Sequence, residues 1–144
     1  MAINQKTLKR ATFKHIEAEL ICYHETKKEI KRLRESIIYD TELNDNVGMG
    51  KNSYRIPSRP TEQIATRLIA TKIIRNLVEI SDAIESIYSC LDENQKKLIK
   101  MRYWSGRNRV SWKMIDLELN LGEWTVYRYQ QLIIEAIAER IGWR

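Results

Sequence analysis

Residues Trp112–Gln131 read WKMIDLELNLGEWTVYRYQQ, and the way this stretch folds decides how the rest of the chain is understood. Ile115 and Leu119 lie four apart and so share one face of a short helix; Val126 and Tyr129 share one face of a second. Between them come Leu121, an apolar plug, and two residues suited to a turn. Asn120 is second to glycine in tolerating a left-handed backbone, and Gly122 takes the cap position before Glu123. The spacing therefore predicts two helices that cross through Ile115, Leu119, Leu121, Val126 and Tyr129. It leaves Glu123, Trp124, Tyr127, Arg128 and Gln131 facing outward on the second helix.

Those outward residue types suit the reading of base edges. Arg128 offers a fork for guanine, Gln131 an amide for adenine, and Glu123 an acceptor for cytosine. Trp124 and Tyr127 complete the face, and Trp112 and Trp124 offer flat apolar surfaces to sugars or thymine methyls. Arg107, Arg109, Lys113 and Thr125 fall where phosphates would flank such a helix. The expectation is a helix-turn-helix whose second helix enters the major groove of double-stranded DNA. The plainer alternative is an αα-hairpin packed for stability alone, with Trp124 buried in a neighbour. One position fits poorly: Asp116 stands where the helices approach most closely and alanine is usual. A carboxylate there must reach solvent or accept a hydrogen bond, since burying it bare is costly.

Moving outward, Asp92-Glu93-Asn94-Gln95 is a capping box that opens a helix carrying Leu98, Ile99, Met101, Arg102 and Tyr103. Ser105-Gly106-Arg107-Asn108-Arg109 ends that helix as a short basic loop, and Ser111 caps the next one. Residues 91–144 thus read as one DNA-binding domain.

Residues 1–90 read as a long helical hairpin that pairs or regulates the reader. Phe13, Ile16, Leu20, Tyr23, Ile30, Leu33 and Ile37 recur at three- and four-residue steps, predicting one helix over Lys6–Tyr39. Lys6, Lys9, Arg10 and Lys14 share a face near its start. The basic block Lys27–Arg34 is interleaved with Glu25, Glu29 and Glu35, a pattern of pairing within the helix. From Asp40 to Pro60, Gly48, Gly50, Pro57 and several asparagines predict an irregular loop. Gly48-Met49-Gly50-Lys51 lacks the spacing of a phosphate-binding loop, and Tyr54, Arg55 and Arg59 read as tether residues before nucleic-acid contacts. A second long helix begins near Ser58–Thr61 and runs to about Ser89, with Ile64, Leu68, Ile73, Leu77, Ile80, Ile84 and Ile87 as its apolar stripe. Two amphipathic helices each need cover, so an antiparallel hairpin and a homo-oligomer, a dimer before larger rings, are expected.

Composition narrows the classes. The chain has 144 residues, 43% hydrophobic and 31% charged, with 5 Gly and 2 Pro, which favours an all-α fold over a turn-rich β fold. The net charge is +6, compatible with a nucleic-acid partner. Residues 1–83 hold 15 basic and 11 acidic residues and residues 84–144 hold 10 and 8, so the reader itself is only mildly basic. MAINQKTLKR lacks the apolar run of a secretion signal, and no window is apolar enough for a membrane span, so a cytoplasmic protein without a membrane partner is expected. Cys22 and Cys90 read as reduced, partly buried thiols. His15 and His24 are nine residues apart, on opposite faces of a helix, so no metal site and no cofactor is expected. No nucleophile–base set occurs, and the expectation is not an enzyme.

Leu91…Leu98-Ile99…Arg102-Tyr103…Ser111-Trp112…Ile115…Leu119…Leu121…Thr125-Val126…Arg128 is similar to region four of bacterial sigma factors over about fifty residues. With its long helical N-terminal part, the chain resembles the RinA/ArpU group of phage transcriptional regulators; Ser111-Trp112 and the tail Ile134-Glu135-Ala136-Ile137-Ala138 fit that group. The resemblance implies a phage or prophage activator of late genes, acting on host transcription, with host RNA polymerase as a candidate partner. It carries a DNA-reading role over to Glu123, Trp124, Thr125, Tyr127 and Arg128. A second expectation, from a different class, is a DNA-binding packaging component of the small-terminase type, in which the oligomeric hairpin forms a ring.

Overall fold

The computed structural model describes residues 7–46 and 60–144, with backbone alone at 42–46, 60 and 61. Lys6, the Gly48–Lys51 stretch, Tyr54, Arg55, Ser58 and Arg59, each given a part above, lie outside the described residues. Six helices and no strand occur among those described: α1 Arg10–Ile21, α2 Tyr23–Asn46, α3 Pro60–Cys90, α4 Glu93–Arg102, α5 Trp112–Leu119 and α6 Glu123–Ile141. The fold is all-α. None of these helices is long and apolar enough to cross a membrane.

The chain forms two compact units, one joining the N-terminal segment through Tyr23 to Asp82–Arg144, the other being His24–Ser81. The first unit is built around α6. Ile133, Ile134, Ile137 and Ala138 are buried on α6, and Ile16 and Leu20 of α1, which packs against α6, are fully buried. A second apolar cluster forms where α4, α5 and α6 meet. Leu98, Ile115 and Val126 are its buried centre, and Met101, Val110, Trp112, Leu119, Leu121 and Tyr129 pack around it. Each fully buried aliphatic side chain contributes about 1.5–3 kcal/mol.

Local chemistry accounts for the helix boundaries here. Asp92 accepts from the Gln95 amide at 2.8 Å, while the Gln95 side chain accepts from the Asp92 amide at 3.1 Å, closing the expected capping box. Ser111 caps α5 by accepting from the Met114 amide at 3.3 Å. Asn120 ends α5 in the left-handed region (φ 52°, ψ 44°), and Gly122 opens α6 at φ 87°. Three residues therefore turn the chain between α5 and α6, with Leu121 tucked against the cluster as the spacing predicts.

The expected single helix over Lys6–Tyr39 is divided at Cys22 (φ −83°, ψ 2°). The indole N–H of Trp104 donates to the Leu20 carbonyl at 3.0 Å, an acceptor that a continuous helix would give to the amide four residues on. A side chain entering the ladder in this way is a recognised cause of helix breaks. Tyr23 just beyond the break donates to Glu85 at 2.6 Å and stacks on Trp104 at 5.2 Å, contacts within the first unit. The expectation of partly buried cysteines is also corrected: Cys22 and Cys90 are free and exposed, because each sits at a helix end rather than on a packed face.

In the second unit, α2 runs to Asn46, so the first residues of the segment expected to be irregular, 40–46, are helical, and 47–59 lie outside the described residues. No Gly or Pro precedes Gly48 to stop the helix. Thr26 and Ile30 are buried and Leu33 and Ile37 half-buried, one continuous face of α2. The basic block pairs within the helix as read: Lys28 with Glu25 at 3.0 Å, Arg32 with Glu29 at 2.6 Å and Lys31 with Glu35 at 4.0 Å. On α3 the expected stripe is corrected in its first half, where Ile64, Leu68 and Ile73 are exposed. Ile64 and Ile73 are nine residues apart, hence on opposite sides of the helix, so one face cannot hold both. The withdrawn face instead follows Gln63, Arg67, Ala70, Ile74, Leu77 and Ser81.

Candidate nucleic-acid interface

The residues expected to read bases all lie on the first half of α6. At 100° per residue, Glu123, Tyr127, Gln131, Trp124 and Arg128 occupy an arc of about 140°, on the side away from buried Val126, Ile133 and Ile137. Trp124 is 69% and Tyr127 60% exposed, values unusual for large aromatics, and Glu123 and Arg128 are exposed beside them. Gln131, near the middle of the arc, and Thr125, outside it, are half-buried. The Arg128 guanidinium carbon lies 5.2 Å from the Trp124 ring centroid, a cation–π distance that holds both side chains in one orientation.

The residues expected at phosphates fall in two places. Arg107 and Arg109 are exposed on the loop between α4 and α5, and Lys113 is exposed in the first turn of α5. Lys113 shares a groove with Glu123 and Tyr127 of α6, floored by Trp112, Val126 and Gln130. The groove thus brings together one residue assigned to phosphate and two assigned to bases. Gly106 at φ 69° lets the loop turn, and the Ser105 hydroxyl, 2.8 Å from the Met101 carbonyl and 3.0 Å from that of Asn108, ties it at both ends.

Of the two tryptophans expected to meet sugars or methyls, only Trp124 is exposed. Trp112 is half-buried beneath the Arg102 guanidinium at 4.6 Å and edge-on to Tyr103 at 6.4 Å. Arg102 also donates to the Val110 carbonyl at 3.2 Å, which fastens α4 to the approach of α5. Asp116 is half-buried and has no buried oxygen lacking a partner, so its carboxylate meets the condition set for that position.

Sequence reading missed the group that holds the face in place. Gln130 donates to Glu17 at 3.1 Å and to the Tyr103 hydroxyl at 3.0 Å, and Tyr103 donates to the same Glu17 oxygen at 3.0 Å. This triangle joins α1, α4 and α6 directly behind the groove. Burial raises the Tyr103 phenol well above its usual value, with the Glu17 charge adding to the shift and the Gln130 amide opposing it. At the chain end, Thr12 donates to the Arg144 carbonyl at 2.8 Å and His15 stacks on Trp143 at 4.5 Å. The partners lie up to 132 residues apart, beyond the reach of any local pattern.

No three His, Cys, Asp or Glu side chains among the described residues come together in a way that could hold a metal ion. A family model described as "Protein of unknown function (DUF722)" matches residues 22–139. The chain belongs to this family. The DUF722 match spans α2 to nearly the end of α6, so it contains every residue of the candidate interface and excludes all of α1, including Glu17. No curated protein and no solved structure matches the chain.

Proposed function

We propose that this DUF722 protein is a sequence-specific double-stranded DNA-binding transcriptional regulator. The observation that carries the reading is the outward face of α6, where Trp124, Tyr127, Glu123 and Arg128 stand exposed on a helix whose other side is buried. A helix packed for stability alone would gain by hiding an indole of this size; one that enters a major groove needs it outside. In this reading α5, the Asn120–Gly122 turn and α6 are a helix-turn-helix of the sigma region-four kind, with α6 as reading helix. Arg128, Gln131 and Glu123 contact base edges, Trp124 and Tyr127 pack on methyls and sugars, and Arg107, Arg109, Lys113 and Thr125 hold phosphates.

The resemblance to the RinA/ArpU regulators extends the proposal to a phage late-gene activator in the cytoplasm of a bacterial host, with RNA polymerase as its second partner. The long helices α2 and α3 form the hairpin through which two copies associate. The test is selection from a randomised duplex library with the full-length chain. A defined motif is the expected return, lost when Trp124→Ala and Arg128→Ala are combined. A library that yields no motif, or a motif unaffected by the pair, sinks the reading.

A further inference from the structure

Two arginine–tryptophan pairs occur in the first unit, and they serve different ends. In one, the Arg102 guanidinium carbon lies 4.6 Å from the ring of half-buried Trp112 and the same side chain donates to the Val110 carbonyl at 3.2 Å, so the pair fastens α4 to α5. In the other, Arg128 lies over Trp124 at 5.2 Å; both residues are exposed and both belong to α6, four positions apart. That pair joins no element to another. Among the described residues no hydrogen bond or ion pair engages the Arg128 guanidinium, so its donors stand unspent beside an indole that is 69% exposed. A contact that adds nothing to the packing still fixes two side chains relative to one another, which matters to whatever they meet outside.

We infer that Arg128 and Trp124 read two adjacent base pairs as one unit: guanine under the guanidinium fork and, in the next pair, a pyrimidine that carries a C5 methyl group. The inference rests on the DNA reading proposed above and deepens it by naming the step that is read. Forked onto the O6 and N7 of guanine, the guanidinium lies in the plane of that base. A ring beneath it then falls at the level of the neighbouring pair, because pairs are stacked about 3.4 Å apart and the ring centroid is 5.2 Å away; the pair after that would be about 6.8 Å away. The helix allows this spacing. Four residues rise about 6 Å, and side chains lean toward the helix N-terminus, which carries the Arg128 head back toward Trp124. The indole face offers no hydrogen-bonding group, and the apolar group that base edges present in the major groove is the thymine methyl. Trp124 therefore calls for thymine beside the guanine. Because it takes only the methyl, 5-methylcytosine satisfies it in the same way.

The experiment measures the full-length chain on duplexes of the selected motif that differ by single modified bases. The guanine read by Arg128 is the one whose replacement by 7-deazaguanine, which lacks the N7 acceptor, weakens the wild-type chain but not Arg128→Ala. Thymine in the pair beside it is then changed. Uracil, which is thymine without its methyl, is expected to weaken wild-type binding about fourfold, the worth of one buried methyl, and to leave Trp124→Ala unaffected. At the same position 5-methylcytosine is expected to bind about fourfold tighter than cytosine. Both base comparisons use the wild-type chain, so they stand even if a variant misfolds. The absence of such a guanine, a motif without thymine beside it, uracil bound as tightly as thymine, or a uracil penalty that persists in Trp124→Ala overturns this inference and leaves the DNA reading standing. A selection that returns no motif overturns the DNA reading and the inference with it.

Discussion

Asn120 holds the turn between α5 and α6 at φ 52°, a conformation that costs most L residues about 1–2 kcal/mol. Its amide also closes the last turn of α5 on the Asp116 carbonyl at 2.9 Å. Replacing it with glycine should leave urea-induced unfolding unchanged or slightly later. Asn120→Val should lower the unfolding free energy by about 1–2 kcal/mol, and an unaltered midpoint would mean that the turn is held by its neighbours instead. Three residues of the candidate interface separate into two kinds by what their loss should do. Arg128→Ala should cost about 1–3 kcal/mol on the selected motif and much less on random duplex, because a guanidinium forked onto a base discriminates sequence. Arg109→Ala should weaken both by the same factor, as loss of a phosphate contact does. Equal loss on both duplexes for Arg128→Ala would reassign it to phosphate. Trp124→Ala should reproduce part of the Arg128 effect, since it removes the ring 5.2 Å from the guanidinium that orients it.

At the scale of elements, α6 is positioned from behind by the Glu17–Tyr103–Gln130 triangle, and this has a consequence for pH. Burial and the Glu17 charge favour the neutral phenol of Tyr103, and burial and Glu85 do the same for Tyr23. Both phenols therefore ionise at higher pH in the folded chain than in the unfolded one, so the unfolded chain loses their protons first. Their stabilisation is fully present below the usual tyrosine value of 10.0 and is lost as pH climbs above it. These two groups should give a flat stability profile from about pH 7 to 9 and a decline beyond about 10, followed by unfolding in urea at each pH. Tyr103→Phe should make that decline shallower; a slope identical to wild type would place the alkaline loss elsewhere. The same triangle marks where the sequence stops being legible. The caps at Asp92, Ser111 and Gly122 and the turn at Asn120 were readable because each depends on neighbours within four residues. Glu17 meets its partners across 86 and 113 residues, so nothing local announces that α1 docks on α6. The break at Cys22 was hidden for the same reason, being made by Trp104 from afar. On α3 the difficulty was of another kind: Ile and Leu occur on opposite sides of the helix, and periodicity alone cannot say which side is covered first.

For the whole molecule, charge decides how strongly DNA can be held. Residues 84–144 carry 10 basic against 8 acidic residues, and Glu123 lies inside the candidate interface itself. The larger excess in residues 1–83, 15 against 11, is partly consumed on α2, where Lys28, Arg32 and Lys31 are held by Glu25, Glu29 and Glu35. The cations proposed to meet phosphates at one reader are Arg107, Arg109 and Lys113, all exposed. Three phosphate contacts give a slope of log affinity against log salt of about −2.7, and two readers on one duplex about twice that. Affinity for the selected motif, measured between 50 and 200 mM salt as rough working limits, should follow the steeper line if two copies bind together. A slope steeper than that of two readers would show that cations beyond these three touch DNA as well. A slope near zero would mean that phosphates are not contacted, and with them would go the assignment of Arg107, Arg109 and Lys113.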